Sequence, residues 1–307
     1  MSNRTDTSVV GVLESRAALL REIRRFFEAR DFIEVDTPAI VPSPGLDVHL
    51  SAFEVCDPEG RTVGWLATSP EYQMKRLLSA GATRIFQLGK SFRADEQGRL
   101  HEREFTMLEW YRAHATAEDV MQDTEALATH LTPLAKGDSP LLRGVNERWE
   151  RETVESVVRR YAGLDAEVLA VDEEAFFRVW VEKVQPRLGE DAPTFVTNWP
   201  ASMASLARIN DDGTADRFEA FYRGIELCNG FGELTDATEQ RRRFESDRLA
   251  RHRAGKSVYP IDERFLEALE GGMPESGGNA LGVDRLLMLL EGLDSIQAVM
   301  PFPADRL

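Results

Sequence analysis

Apolar residues recur at helical spacing near the start of the chain. In SRAALLREIRRFFEAR, Ala18, Leu19, Ile23, Phe26 and Phe27 share one side, which predicts an amphipathic helix capped by Ser15. The next stretch, DFIEVDTPAIV, turns to β-favouring residues and predicts a strand that ends around Pro38 and Pro42. Ser69, Pro70 and Glu71 combine a cap residue, a proline for the first helical position and a first-turn acid. A helix over YQMKRLLSA should follow and stop at Gly81. RIFQLGKSF and EFTMLEWY each alternate apolar and polar positions around a polar loop containing Gly98, which predicts two antiparallel strands.

Residues 115–190 read as mostly helical, with a loop near LTPLAKGDSP and no chemical motif. Strand patterns return in PTFVTNWP and RFEAFYRGIELCNG, and helices are expected around residues 238–253 and 262–269. In GGNALGVDRLLMLLEG the glycines permit a close-packed backbone turn, and LGVDRLLMLL continues as a buried helix. Strands and helices are mixed without a regular βαβ alternation. The expected fold is α+β, with a mainly antiparallel sheet flanked by helices.

Composition narrows the function. The formal net charge of −16 argues against non-specific nucleic-acid binding, which depends on phosphate neutralisation. Arg241, Arg242, Arg243, Arg248, Arg251 and Arg253 are expected on a solvated helix face with Glu239 and Glu245 as partners. Only Cys56 and Cys228 occur, which is neither a disulfide framework nor a zinc pattern. No signal-peptide core or transmembrane-length apolar run is visible, so a cytoplasmic location is expected.

Against that acidic balance, residues 93–112 gather Arg93, Arg99, His101, Arg103 and Arg112 among acids, then continue into Phe105, Trp110 and Tyr111. A hairpin would set Arg93 at the end of one strand and Phe105 on the next. A guanidinium could then hold a phosphate while a ring face meets a purine. The plainer alternative is an amphipathic hairpin with a salt-bridged turn. Arg285, in the first turn of the helix in GVDRLLMLL, is a second candidate for an anion, or else a surface arginine paired with Asp284. Glu226 and Glu233, with Asn229, Gly230 and Gly232 between them, suit magnesium or a cationic substrate, or form a polar strand end. Glu71 could accept a substrate ammonium or simply stabilise its helix dipole. The chain has no P-loop, GxGxxG or GxSxG pattern, and His101, His114 and His252 lack zinc-ligand spacing.

The order of these segments resembles the catalytic domain of class II aminoacyl-tRNA synthetases, closest to the lysyl branch. FIEVDTPAIVPSPG, with Pro38 at the dimer-interface proline, is similar to the first motif. FRADEQGRLHEREFTMLEWYR is similar to the second and GNALGVDRLLML to the third. The first-motif helix is expected near residue 13, which leaves no room ahead of it for an anticodon-binding OB domain. A single catalytic domain over 1–307 is therefore expected. TSPEYQMKRLL, EFTMLEWYR, GIELCNGFGELTDA and ALGVDRL resemble the truncated lysyl-synthetase paralogues that modify elongation factor P.

That resemblance implies an ATP- and Mg2+-dependent ligase, a cytoplasmic homodimer. It would activate lysine or (R)-β-lysine as an adenylate and transfer it to a lysine side chain of elongation factor P. A tRNA partner is not expected. The alternatives are a synthetase-like enzyme acting on tRNA or a small molecule, or a non-catalytic regulatory module. The match assigns amino-acid contacts to Ser69, Pro70, Glu71, Tyr111, Asn229 and Glu233. It assigns ATP contacts to Arg93, Ala94, Asp95, His101, Glu102, Phe105, Glu226, Leu227, Gly282 and Arg285, with Phe105 stacking adenine. Arg93 and Arg285 would be catalytic, and Glu226 and Glu233 would hold the metal. Ala280 stands where lysyl-tRNA synthetases usually have glycine, which implies a pocket reshaped toward the β-isomer. Two departures bear on ATP: Arg-Asn-Glu becomes Arg93, Ala94, Asp95, and Glu102 replaces an asparagine. An acid beside a triphosphate is unfavourable unless it points away or meets a cation.

Overall fold

The computed structural model describes residues 8–136, 139 and 149–306. Helix α1 (Val9–Glu28) begins earlier than its apolar side suggests. Ser8, not Ser15, is the cap, and its Oγ accepts from the Gly11 N–H at 3.1 Å. Ser15 lies mid-helix and accepts from Lys136 Nζ at 2.6 Å. Leu19, Ile23, Phe26 and Phe27 are fully buried as expected, while Ala18 is only partly covered. The single strand expected next is instead two, β1 (Ile33–Glu34) and β2 (Ile40–Val41). Pro38, with fixed φ and no N–H, prevents one ladder from running through.

The chain continues with β3 (Glu54–Cys56), β4 (Thr62–Leu66), α2 (Glu71–Ser79), β5 (Arg84–Phe92), β6 (Glu104–Ala113) and α3 (Ala117–Leu131). Beyond residue 148 come β7 (Glu150–Thr153), α4 (Val154–Ala162), α5 (Ala166–Leu169), α6 (Glu173–Val179), β8 (Thr194–Trp199), β9 (Ala215–Tyr222) and β10 (Ile225–Gly232). The last elements are α7 (Ala237–Arg253), α8 (Glu263–Glu270), β11 (Ser276–Gly282) and α9 (Val283–Glu291). The loop expected near LTPLAKGDSP falls largely outside the described residues.

Eight strands form one sheet in the order β1-β5-β6-β11-β10-β9-β8-β7, with parallel pairing only at β1/β5 and β7/β8. Strands β2, β4 and β3 form a second, small sheet. The fold is thus the expected α+β class with an antiparallel-dominated sheet. Among the described residues, 115–190 is mostly helical as expected, with one strand, β7, that was not expected. It is an edge strand whose charged side chains hide its alternation: Arg151 pairs with Glu118 and Glu125 from α3.

One face of the large sheet is closed by α1, α3 and α9. Leu108 and Trp110 of β6 point into that layer, where Phe27 stacks on Phe86 with centroids 4.8 Å apart. Burying each such side chain contributes about 1.5–3 kcal/mol. On the other face, α2 and α8 meet through Tyr72 and Phe265, stacked at 4.6 Å. Helices α4–α6 pack on the β7–β9 end around Phe176, Trp180 and Trp199.

Two further expectations fail instructively. The glycines before α9 form strand β11 rather than a turn. The close approach they suggested is real: a Cβ at Gly277 would lie 2.5 Å from the Thr116 carbonyl oxygen. The arginines of α7 are also not all solvated. Arg242 and Arg243 pair with Glu239 and Arg241 pairs with Glu263, but Arg251 is buried. It donates to the carbonyls of Leu50 and Ser257 at 2.7 Å each and lies 4.3 Å from the Tyr259 ring centroid. It therefore anchors the loop that walls the cavity described next. Among the described residues no helix is long and apolar enough to cross a membrane.

Candidate functional site

Strand alternation builds the site. On β6, Phe105, Met107, Glu109 and Tyr111 share the face opposite Leu108 and Trp110. The sheet register carries that face sideways. Glu109 pairs with Ala280 of β11, Ala280 with Asn229 of β10, and Asn229 with Glu219 of β9. Above this row lies a cavity of about 260 Å³, bordered by Ser69, Glu71, Arg93, Phe105, Glu109 and Arg285 among others.

Its two ends differ in charge. At the cationic end, the Arg93 guanidinium lies 5.1 Å from the Phe105 ring centroid and 3.1 Å from Glu96 Oε1. Arg93 Nε is buried without a hydrogen-bond partner, as suits a group that awaits an acceptor. Arg285 donates to the Leu100 carbonyl at 3.2 Å and the Glu226 carbonyl at 2.9 Å, and its Nη2 lies 2.6 Å from His101 Nε2. A guanidinium can only donate, so His101 must accept there as a neutral ring. Its pKa is accordingly lowered, by burial first and then by Arg285.

The β6 loop is clamped from outside. Arg99 donates to the Asp294 carbonyl at 2.6 Å, Ile296 N–H to the Arg99 carbonyl at 3.0 Å, and Gln297 Nε2 to the Gly98 carbonyl at 2.6 Å. Gln297 also donates to Glu102 Oε1 at 3.2 Å. The unusual acid at 102 therefore meets an amide rather than a cation, and it still borders the cavity. Gly282 and Leu227 border it too, whereas Asp95 is exposed and Ala94 is held through its N–H to the Ser51 carbonyl at 2.8 Å. A bulge between Glu226 and Cys228 breaks strict alternation on β10, so that Glu226 and Leu227 both reach the cavity.

The acidic end is a buried network. Ser69 Oγ donates to Glu109 Oε1 at 2.7 Å and accepts from the Glu71 N–H at 3.0 Å. Helix α2 therefore begins one residue later than expected, with Pro70 at the cap position. Tyr111 donates to Glu109 Oε2 at 2.8 Å. Lys75 Nζ sits 2.6 Å from Glu71 Oε1 and 2.5 Å from Glu233 Oε2, an ion pair with each carboxylate. Burial, then the charge of Glu71, pushes the Glu109 carboxyl up to about 7. Burial pushes Glu233 up to about 8 against the opposing pull of Lys75. Burial pulls the Lys75 ammonium down, but Glu233 and Glu71 more than offset it and its pKa is raised.

The structure brings Ser69, Glu71, Asn229, Arg93, His101, Phe105, Glu226 and Arg285 around one cavity. It sets Pro70, Tyr111 and Glu233 behind that surface, with Glu233 reached from Glu71 through Lys75. Glu226 and Glu233, grouped in the sequence as metal ligands, are thus parted. Of the two, Glu226 fits magnesium: it lies at the cationic end, its side chain is 36% exposed, and it pairs with Arg285 only at 3.5 Å. Glu233 is engaged by Lys75. Among the described residues no three His, Cys, Asp or Glu side chains converge as a metal cage, so a bound magnesium needs phosphate oxygens as further ligands.

Sequence reading missed Glu109 and Lys75. The alternation of EFTMLEWY could have found Glu109, two residues from Tyr111. Lys75 stands at helical i,i+4 spacing from Glu71.

Glu109 titrates at about 7 folded against 4.5 in its ordinary state. Below that window both states are protonated; as pH rises through it, the unfolded chain ionises first and stability is lost. Glu109→Gln removes this loss. Its melting temperature relative to wild type is expected to rise from about pH 5 to about pH 8. Thermal melts across pH check this; a flat or narrowing difference contradicts the assigned titration.

Paired arginines and an aromatic ring at one end of the cavity and a carboxylate network at the other suit a ligand that carries both anionic and cationic groups. The family model for class II tRNA synthetases (D, K and N) matches residues 3–306, and the chain belongs to that family. Its members form aminoacyl-adenylates using ATP and Mg2+.

Proposed function

We propose that this protein activates lysine or (R)-β-lysine and transfers it to a lysine side chain of elongation factor P. The observation that carries the amino-acid class is the charge count of the pocket. Lys75 contacts Glu71 and Glu233, and Ser69 joins Glu71 to Glu109, so three carboxyls at this end share one ammonium. Buried acids in excess of their counter-charges favour a ligand that brings ammonium groups, and a diamino acid brings two. Ala280 supports the β-isomer: it lies on the cavity floor between Glu109 and Asn229, so its methyl takes space beside the substrate.

In the first step a substrate carboxylate oxygen attacks the α-phosphorus of ATP. The bond to the β-phosphate oxygen breaks and pyrophosphate leaves. Arg93 and Arg285 hold the phosphoryl oxygens as negative charge shifts onto them. Magnesium, when bound, neutralises further phosphate charge, and Glu226 is the side chain that would hold it. Phe105 offers a ring face to adenine. In the second step the neutral acceptor amine attacks the acyl carbon, AMP leaves, and the amine loses a proton.

The acceptor is inferred from the segments shared with elongation factor P-modifying paralogues and from the net charge of −16, which disfavours tRNA. A homodimer is part of the same reading. The test incubates elongation factor P with the protein, ATP, Mg2+ and each amino acid, followed by intact-mass analysis. A gain of one lysyl residue on a single lysine is expected. An unmodified factor alongside charged tRNA would overturn the acceptor assignment.

A further inference from the structure

The proposed pocket contains a cation of its own. Resting on the diamino-acid reading above, we propose that Lys75 is a specificity-determining residue, a resident ammonium that takes the position between Glu71 and Glu233 and so restricts the substrate's amines to the carboxylate oxygens facing the cavity.

The geometry carries this. The Lys75 side chain is 0% exposed, and its Nζ touches Glu71 Oε1 at 2.6 Å and Glu233 Oε2 at 2.5 Å. The ring of Phe231, which borders the cavity, is centred 5.9 Å from the same nitrogen. Glu71 is therefore bound on one oxygen, while its residue borders the cavity together with Ser69 and Glu109. Glu233 and Lys75 do not border it. Gly278 keeps this arrangement tight, since a Cβ there would fall 2.3 Å from Glu233 Oε1.

A lysine ammonium and a substrate ammonium are the same chemical group. Lys75 thus occupies a site that would otherwise bind a substrate amine. It also fixes Glu71, whose second oxygen remains for the substrate. Removing the internal cation leaves two acids around an ammonium-sized hole and frees Glu71 to turn toward Glu233's side. Lys75 touches no reacting atom in this arrangement. Its effect falls on binding through Glu71.

The test uses the full-length protein and amino-acid-dependent ATP–pyrophosphate exchange. Wild type is assayed first with lysine and (R)-β-lysine; no exchange with either sinks the functional reading itself. For folded Lys75→Ala, KM for the amino acid is expected to rise about 100-fold, with kcat within about tenfold of wild type. Propylammonium should restore KM by filling the hole and donating to both acids. Tetramethylammonium, with equal charge but no N–H donor, should not. An unchanged KM, or a raised KM that neither ammonium ion alters, overturns the proposal. Should Lys75→Ala fail to fold, the pair Lys75→Met with Glu233→Gln removes both charges together and is expected to fold with KM still raised. A wild-type KM in that folded double variant also overturns it.

Discussion

Replacing Arg285 by alanine is expected to lower amino-acid-dependent ATP–pyrophosphate exchange by about 100- to 1,000-fold while leaving the fold intact. Arg285 is held before substrate arrives, by the Leu100 and Glu226 carbonyls and by His101. Such an arginine acts without reorganising when charge develops on the phosphoryl oxygens, which is why one donor of this kind can carry so much. Its carbonyl partners belong to residues that border the cavity, where water can replace the guanidinium, so little stability is lost. Arg285→Lys should fall between the two, since it keeps the charge but loses the fork that reaches several acceptors at once. Near wild-type exchange in a folded Arg285→Ala protein would remove the residue from the mechanism.

The neighbouring Asp284 carries the largest expected stability effect. It does not pair with Arg285, as proximity suggested. It is 3% exposed, accepts from Arg16 Nη1 of α1 at 2.6 Å, and accepts from the Thr106 N–H of β6 at 2.7 Å. Arg16 also donates to Thr106 Oγ1 at 2.5 Å. One carboxylate therefore joins α1, β6 and α9. Asp284→Ala leaves a largely buried guanidinium and a buried N–H without their acceptor, and should cost about 3–5 kcal/mol. For a chain of this size that is a fall in Tm of roughly 5–10 °C. Thermal unfolding at neutral pH measures it. A shift below about 1 °C would show that water or another group replaces the carboxylate.

Local pattern fixed much of this architecture in advance, for physical reasons that differ by element. The hairpin of β5 and β6 was legible because half-buried antiparallel strands alternate, and its register does set Phe92 opposite Glu104, just before Arg93. The edge strand β7 was not, because its outward residues are charged and its pairing is with a strand more than forty residues away. The glycines of β11 look like a turn in one dimension. Their purpose is close packing on both faces, which only the neighbouring elements reveal. In the site, residues with a recognisable sequence context, such as Arg93 and Arg285, were found. Glu109 and Lys75 were overlooked because their role depends on contacts among α2, β6 and the end of β10.

The floor of the cavity also bears on how such an enzyme could change its preferred substrate. Three inward positions of β11 follow one another: Gly278, Ala280 and Gly282. A methyl at 278 would collide with Glu233 and Tyr111 at 2.3 Å, whereas one at 282 would meet only the Arg285 side chain at 3.7 Å. At 280 a methyl is already accommodated. Of these neighbours, then, 278 is closed to mutation and the other two are open. Glycine and alanine codons differ by a single base, so the space beside this strand can change by one methyl in a single mutational step at 280 or 282, but not at 278.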